Sequence, residues 1–145
     1  MVLSKQCAFI FAIASALGCW GTEATMAGAV TQITIHYLPF SVETFLPVTI
    51  DSLEKDARCV FSFEASPEDT TNLHRWFANV TKGDFDKKRV RLMLAGLEDA
   101  RLYVDAEGGL RRGSSGVGKL NEHAFKALEQ FVEAAALRAG CDPHD

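Results

Sequence analysis

Residues 89–132 constrain the fold of this chain more than any other stretch. Two apolar runs, residues 89–94 and 101–105, flank a polar turn at residues 96–99, which is the pattern of a β-hairpin. After a glycine-rich segment, apolar side chains recur at helical spacing from Asn121 onward. The stretch therefore predicts a hairpin followed by an amphipathic helix.

Two pairs of strand and helix are expected upstream of this hairpin. Residues 31–37 and 59–64 alternate between apolar and polar side chains, as half-buried strands do. Residues 51–58 and a segment opened by Ser66 have the capping patterns of helices. Residues 41–47 favour neither structure. The predicted order is strand, helix, strand, helix, hairpin, helix.

This order favours a small single α+β domain. A hairpin in the middle of the chain predicts a mostly antiparallel sheet with about three packed helices. The chain has 145 residues, of which 48% are hydrophobic and 23% charged, so it can form a core of its own. Its formal net charge of -4 is evenly spread, so nucleic acid and anionic membranes are not expected partners, and a basic protein fits better.

The amino terminus predicts the compartment. Lys5 precedes an apolar run over residues 7–17, and small residues follow as far as Ala29, which is the layout of a secretory signal. The run is too short to span a bilayer comfortably. We expect residues 1–27 to be a signal peptide and residues 28–145 to form the periplasmic or secreted domain. Two overlapping small-residue motifs leave the cleavage point open.

A second interpretation of the same region also stays open. Ala16-Leu17-Gly18-Cys19 resembles the lipobox of bacterial lipoproteins, in which the cysteine is lipidated and becomes the new amino terminus. The resemblance implies an outer-membrane lipoprotein held through Cys19, which would be the chain's contact with a membrane. Both interpretations place the folded domain outside the cytoplasm.

Two cysteines, Cys59 and Cys141, lie outside the export segment. In an oxidising compartment an even pair is most simply a disulfide. A bond that closes so long a loop contributes about 4–5 kcal/mol to stability in the chain-entropy treatment. We therefore predict a disulfide between these two residues.

Residues 113–119 have the spacing of a phosphate-binding loop. That motif needs Ser or Thr after its lysine to ligate magnesium, and Leu120 stands there instead. Too few residues follow for the strands that carry the second metal ligand. We therefore expect no nucleotide and no other cofactor. Two interpretations remain: a flexible loop joining the sheet to the last helix, or a recognition loop for a protein partner.

The recognition interpretation nominates specific residues. Small residues would let the backbone approach a partner's cleft, with Ser114 or Ser115 hydrogen-bonding to the partner's catalytic groups. Arg111, Arg112 and Lys119 would anchor the loop through complementary charge.

No residue set nominates a catalytic or metal site. The chain's 4 histidines lie on separate predicted elements without ligand spacing, and no serine stands in a nucleophile-elbow pattern. Acids in turns, such as Asp105 and Glu107, are expected to be solvated turn formers. A basic patch with Phe85 inside it is a weak signal for nucleic acid. The patch consists of Lys82, Lys87, Lys88, Arg89 and Arg91.

An exported, disulfide-bridged domain without a catalytic set is more economically a binder than an enzyme. The most concrete hypothesis is an inhibitor or immunity protein that occludes the active site of a secreted cell-wall-degrading toxin, an analogy of size and compartment alone. An envelope lipoprotein or adaptor anchored through Cys19 is the alternative, and a small hydrolase is third.

Overall fold

Strands outnumber helices in residues 30–145, the part of the chain that the computed structural model describes. The strands are β1 (Thr31–Tyr37), β2 (Cys59–Ala65), β3 (Val80–Thr81), β4 (Val90–Ala95), β5 (Leu102–Asp105), β6 (Gly109–Arg112) and β7 (Ser115–Leu120), and the helices are α1 (Ile50–Asp56), α2 (Pro67–Ala78) and α3 (Glu122–Arg138). The predicted α+β domain with three helices is confirmed. The predicted signal segment and Cys19 lie outside the described residues.

The strands form one antiparallel sheet in the order β2-β1-β4-β5-β6-β7-β3. β1 pairs with β2 over its whole length, from Thr31 opposite Ala65 to Tyr37 opposite Cys59. Strands β4 to β7 follow one another as hairpins, and the predicted hairpin is the pair of β4 and β5. Because neighbouring strands run in opposite directions, one end of the sheet contains the end of β1, the start of β4 and the end of β7.

The sheet has an apolar core on each face. α2 and α3 pack on one face, where the core includes Ile35, Leu92 and Leu128. α1 covers part of the other face, where Leu53 packs with Met93. Leu92 and Met93 are neighbours in β4 yet belong to different cores, because successive side chains of a strand point to opposite faces.

Local capping explains where the helices begin. The Ser66 side chain accepts a hydrogen bond from the Asp69 backbone N–H at 3.1 Å, and the Asp69 carboxylate accepts one in return from the Ser66 N–H. Asn121 caps α3. Thr49, rather than Asp51, caps α1, so that helix begins earlier than the sequence predicts.

The predicted disulfide between Cys59 and Cys141 is confirmed. The two Cα atoms lie 5.9 Å apart and the bond spans 82 residues of sequence. It ties the tail after α3 to the start of β2. The Arg58 guanidinium supports this junction by donating a hydrogen bond to the Pro143 carbonyl oxygen at 3.2 Å.

The glycine-rich segment is a β-hairpin, so the expectation of an irregular loop there is wrong. β6 and β7 turn at Gly113, whose φ is 58°, and β7 then pairs with β6 on one side and β3 on the other. Gly118 has φ 146°, and a Cβ there would lie 2.5 Å from the Thr81 carbonyl oxygen. The close approach of β3 therefore requires this glycine, and no phosphate needs to be invoked.

Between β3 and β4 the chain crosses the sheet from its edge to its middle. This crossing segment, residues 82–89, lies on the same face as α1. The apolar loop, residues 41–47, lies beside it. Val48, which follows the loop, makes two backbone hydrogen bonds to the chain around Arg89. Its N–H donates to the Lys88 carbonyl and its carbonyl accepts from the Val90 N–H, both at 2.9 Å. The loop and the crossing segment are therefore neighbours at one end of the sheet.

Candidate functional site

The nominated partner-binding arginines lie on opposite faces of the sheet. Arg111 pairs in register with Tyr103 and Arg112 with Leu102, and those two residues belong to different cores. Arg112 is also engaged: its guanidinium makes two hydrogen bonds to the Glu98 carboxylate, at 2.7 and 3.2 Å. The structure thus separates two side chains that the sequence suggested would act together.

The other nominated residues lie in the β6–β7 turn and along β7. Ser114 and Ser115 are exposed at the hairpin turn, next to the exposed Val117. Lys119 lies near the far end of the strand, roughly 13 Å from Ser115 at the usual rise of a strand. There Lys119 packs so closely on Gly83 that a Cβ on the glycine would be 2.7 Å from the lysine Cβ. The hairpin tip and Lys119 therefore belong to opposite ends of the sheet.

Two clefts open at the end of the sheet where the crossing segment lies. The first, of about 680 Å³, lies between the crossing segment and the sheet and includes Asp105, Glu107 and Lys119. The second, of about 610 Å³, lies between the apolar loop and the crossing segment and includes Arg91. We call the second one the cationic cleft.

Asp105 fixes the crossing segment, so the expectation of a solvated turn residue is wrong at this position. Its carboxylate is buried and accepts hydrogen bonds from the backbone N–H groups of Asp86 at 2.6 Å and of Glu107 and Gly109 at 2.8 Å. Charge-assisted bonds of this kind are about twice as strong as neutral ones. Glu107, by contrast, is exposed and forms an ion pair with Arg89.

Arg91 enters the cationic cleft because β4 contains a bulge. Val90 is opposite Asp105 and Leu92 is opposite Val104, so Arg91 is an extra residue that has no partner on β5. A bulge redirects the side chain at that position. The arginine that the sequence assigned to a basic patch is therefore buried in the wall of the cleft.

The guanidinium of Arg91 bonds only to backbone carbonyls. The residue is 3% exposed; Nη1 donates to the Val90 oxygen and Nη2 to the Val42 oxygen, both at 3.1 Å. Nε is buried and has no hydrogen-bond partner. Among the described residues no carboxylate forms an ion pair with Arg91.

Burial lowers the pKa of the Arg91 guanidinium, and repulsion from Arg89 lowers it further, while Asp105 partly opposes both effects. The group stays charged at neutral pH because the ordinary pKa of arginine is so high. Burying a charge without an ion-pair partner costs free energy of folding, and the fold bears that cost at Arg91.

The apolar loop exposes two consecutive large side chains at its tip. Phe45 is fully exposed and Leu46 is 78% exposed. Leu46 also borders a groove of about 270 Å³ that reaches Leu38 and Leu53. Sequence reasoning missed this loop because it has no periodicity. The adjacent Phe and Leu in a stretch without a core-facing pattern were the available signal.

Residues 30–145 hold no cluster of three or more His, Cys, Asp or Glu side chains placed to bind a metal ion. Within the same residues no helix combines the length and apolar character needed to cross a membrane.

No protein-family model matches this chain, and no curated protein or solved structure matches it. What the domain binds must therefore be inferred from its own surfaces. The apolar loop and the cationic cleft are the surfaces with the most distinctive chemistry.

Proposed function

We propose that this chain is an exported protein-binding domain, most concretely an inhibitor or immunity protein that covers the active site of a secreted cell-wall-degrading enzyme. The observation that carries the proposal is the exposed pair Phe45 and Leu46 beside the cationic cleft. In this account the apolar loop enters the partner, and the crossing segment forms the rest of the contact.

Two adjacent exposed apolar side chains favour a protein partner. Burying each of them contributes about 1.5–3 kcal/mol, and aromatic anchors are common among the residues that dominate binding energy. The loop ends are already held, by Pro39 and Val42 at one side and by Val48 at the other. A loop with fixed ends loses less conformational entropy on binding than a free one.

Two observations support export. The Cys59–Cys141 disulfide suits an oxidising compartment, where such bonds persist. The apolar segment that precedes the domain in sequence has the layout of a secretory signal. Cell-wall-degrading enzymes act in the same compartment, which makes them accessible partners.

The experiment begins with affinity capture. The purified protein is immobilised and exposed to periplasmic and secreted extracts, and the retained enzyme is identified by mass spectrometry. Its hydrolysis of peptidoglycan is then measured with increasing amounts of the domain. We expect stoichiometric inhibition.

Matched variants locate the contact. Replacing Phe45 and Leu46 with serine should weaken inhibition about 100-fold, the effect of losing about 3 kcal/mol from an interface centre. The control is Val60→Ser, since Val60 is also an exposed apolar residue, at 56%, but lies on the edge strand β2. It should leave inhibition unchanged.

A third variant tests the hairpin tip. Bulky residues at Ser114 and Ser115 should have no effect if the apolar loop makes the contact. Loss of inhibition in this variant alone would move the contact to the hairpin and reject the loop. If the domain inhibits no captured enzyme, the inhibitor proposal itself fails.

A further inference from the structure

The cationic cleft holds a charge, that of Arg91, which makes no ion pair within the described residues; the Asp105 carboxylate acts on it from beyond ion-pair distance. A guanidinium carries five N–H donors, and that of Arg91 uses one on the Val90 carbonyl and one on the Val42 carbonyl. Nη1 and Nη2 therefore each keep a further N–H. The desolvation of Arg91 has already occurred in folding, so an incoming anion gains the attraction without that cost.

The charges around the cleft select the kind of anion. Three cationic side chains and two carboxylates line it: Lys88, Arg89 and Arg91 against Glu43 and Asp86. The five charges sum to +1, and to zero once Arg89 is assigned to its ion pair with Glu107. So small a positive balance favours a singly charged carboxylate over a phosphate dianion, which the two acids would repel more strongly. A guanidinium also matches a carboxylate in geometry, through two parallel hydrogen bonds.

We infer that the cationic cleft is a binding site for one carboxylate group, held by Arg91. Phe45 and Leu46 of the apolar loop line the same cleft as Arg91, so the ligand presents an apolar group beside its carboxylate. An aspartate, a glutamate or a chain terminus of a protein partner meets this description. Assigning the carboxylate to the protein partner rests on the proposed function, whereas the carboxylate site itself does not.

In the test, ¹⁵N-labelled wild-type protein is titrated with sodium propionate. The Nε–Hε resonance of the Arg91 guanidinium is followed by NMR. Propionamide is the neutral isostere, and inorganic phosphate tests the charge argument. We expect a saturable shift with propionate at about 1–10 mM, which is reasonable for so small a ligand. Propionamide should give no saturable shift, and phosphate should bind at least ten times more weakly.

Arg91→Lys provides the second measurement, because lysine keeps the charge but loses the paired donors. It should weaken propionate binding at least tenfold, read from the backbone amides of the apolar loop. Arg101→Lys is the matched control, since Arg101 is an exposed arginine paired with Glu54 on α1. It should change nothing. The unmodified titration remains decisive if the Arg91 variant fails to fold.

Several outcomes would overturn the inference. Equal shifts with propionate and propionamide, or unchanged propionate binding in Arg91→Lys, would make Arg91 only a structural tether between the bulge and the loop. Phosphate binding as tight as propionate binding would reject the single-carboxylate assignment.

The two proposals fail separately. If the wild-type domain binds propionate and the Arg91→Lys variant inhibits the enzyme as well as wild type does, the site binds a free organic acid. That result would overturn the assignment of the carboxylate to the protein partner. Propionate binding by a domain that inhibits no enzyme would leave the site standing and reject the proposed function.

Discussion

Asp105 illustrates how one buried carboxylate organises a surface. Its three backbone N–H donors come from the crossing segment, from the turn before β6 and from the first residue of β6. Asp105→Asn keeps the shape but replaces one acceptor oxygen with a donor, so we expect a loss of about 2–4 kcal/mol in the free energy of unfolding. Urea denaturation measures it. Glu107→Gln, at an exposed position, should change stability by about 0–1 kcal/mol, and equal losses in both variants would contradict the account.

The glycines of the β6–β7 hairpin separate a structural role from a phosphate-binding one. Gly118→Ala forces a Cβ toward the Thr81 carbonyl at a left-handed φ, so we expect a loss of about 2–3 kcal/mol. Gly116→Ala meets nothing within 4 Å and should change stability by about 0.5 kcal/mol or less. Thermal melts of the two variants make the comparison. Similar melting temperatures would show that β3 does not press on β7.

At single positions, the sequence predicted the roles of residues whose partners are close in sequence. Ser66 was recognisable as a helix cap because its partner, Asp69, is three residues away. Arg91 was not recognisable as buried. Its position depends on a bulge, and a bulge exists only relative to the partner strand β5.

Among the elements, those with their own periodicity were predictable. The hairpin of β4 and β5 and helices α2 and α3 have regular apolar patterns, and all appear where expected. β7 was missed because its serines and glycines have low strand propensity. It is a strand because β6 pairs along it and β3 pairs with its last two residues, Lys119 and Leu120. This is a tertiary effect that no local pattern records.

The disulfide joins two elements that the sequence separates widely. It connects β2 to the tail after α3 and closes a loop of 82 residues. Cys59→Ser combined with Cys141→Ser should lower the free energy of unfolding by about 4–5 kcal/mol, because the unfolded chain regains the entropy of the open loop. Urea denaturation of the variant measures the loss. Reduced wild-type protein should unfold at nearly the same urea concentration as the double variant. The account would be contradicted if oxidised and reduced wild-type protein unfolded at the same urea concentration.

Across the whole molecule, the sheet separates two candidate contact regions. The hairpin tip lies at one end, and the apolar loop with the cationic cleft lies at the other. The sequence pointed to the first because glycine and serine mark exposed turns. The second region forms only where the crossing segment lies beside the apolar loop. The sequence does not predict that contact, because Val48 and Lys88 are 40 residues apart in the chain.

The central claim is that the domain binds its partner through the apolar loop and the crossing segment. Hydrogen–deuterium exchange of the free domain and of its complex with the captured enzyme tests this most directly. We expect slower exchange at residues 41–47 and 82–89 in the complex, with residues 113–117 unchanged. Protection confined to residues 113–117 would contradict the claim and place the contact at the hairpin tip.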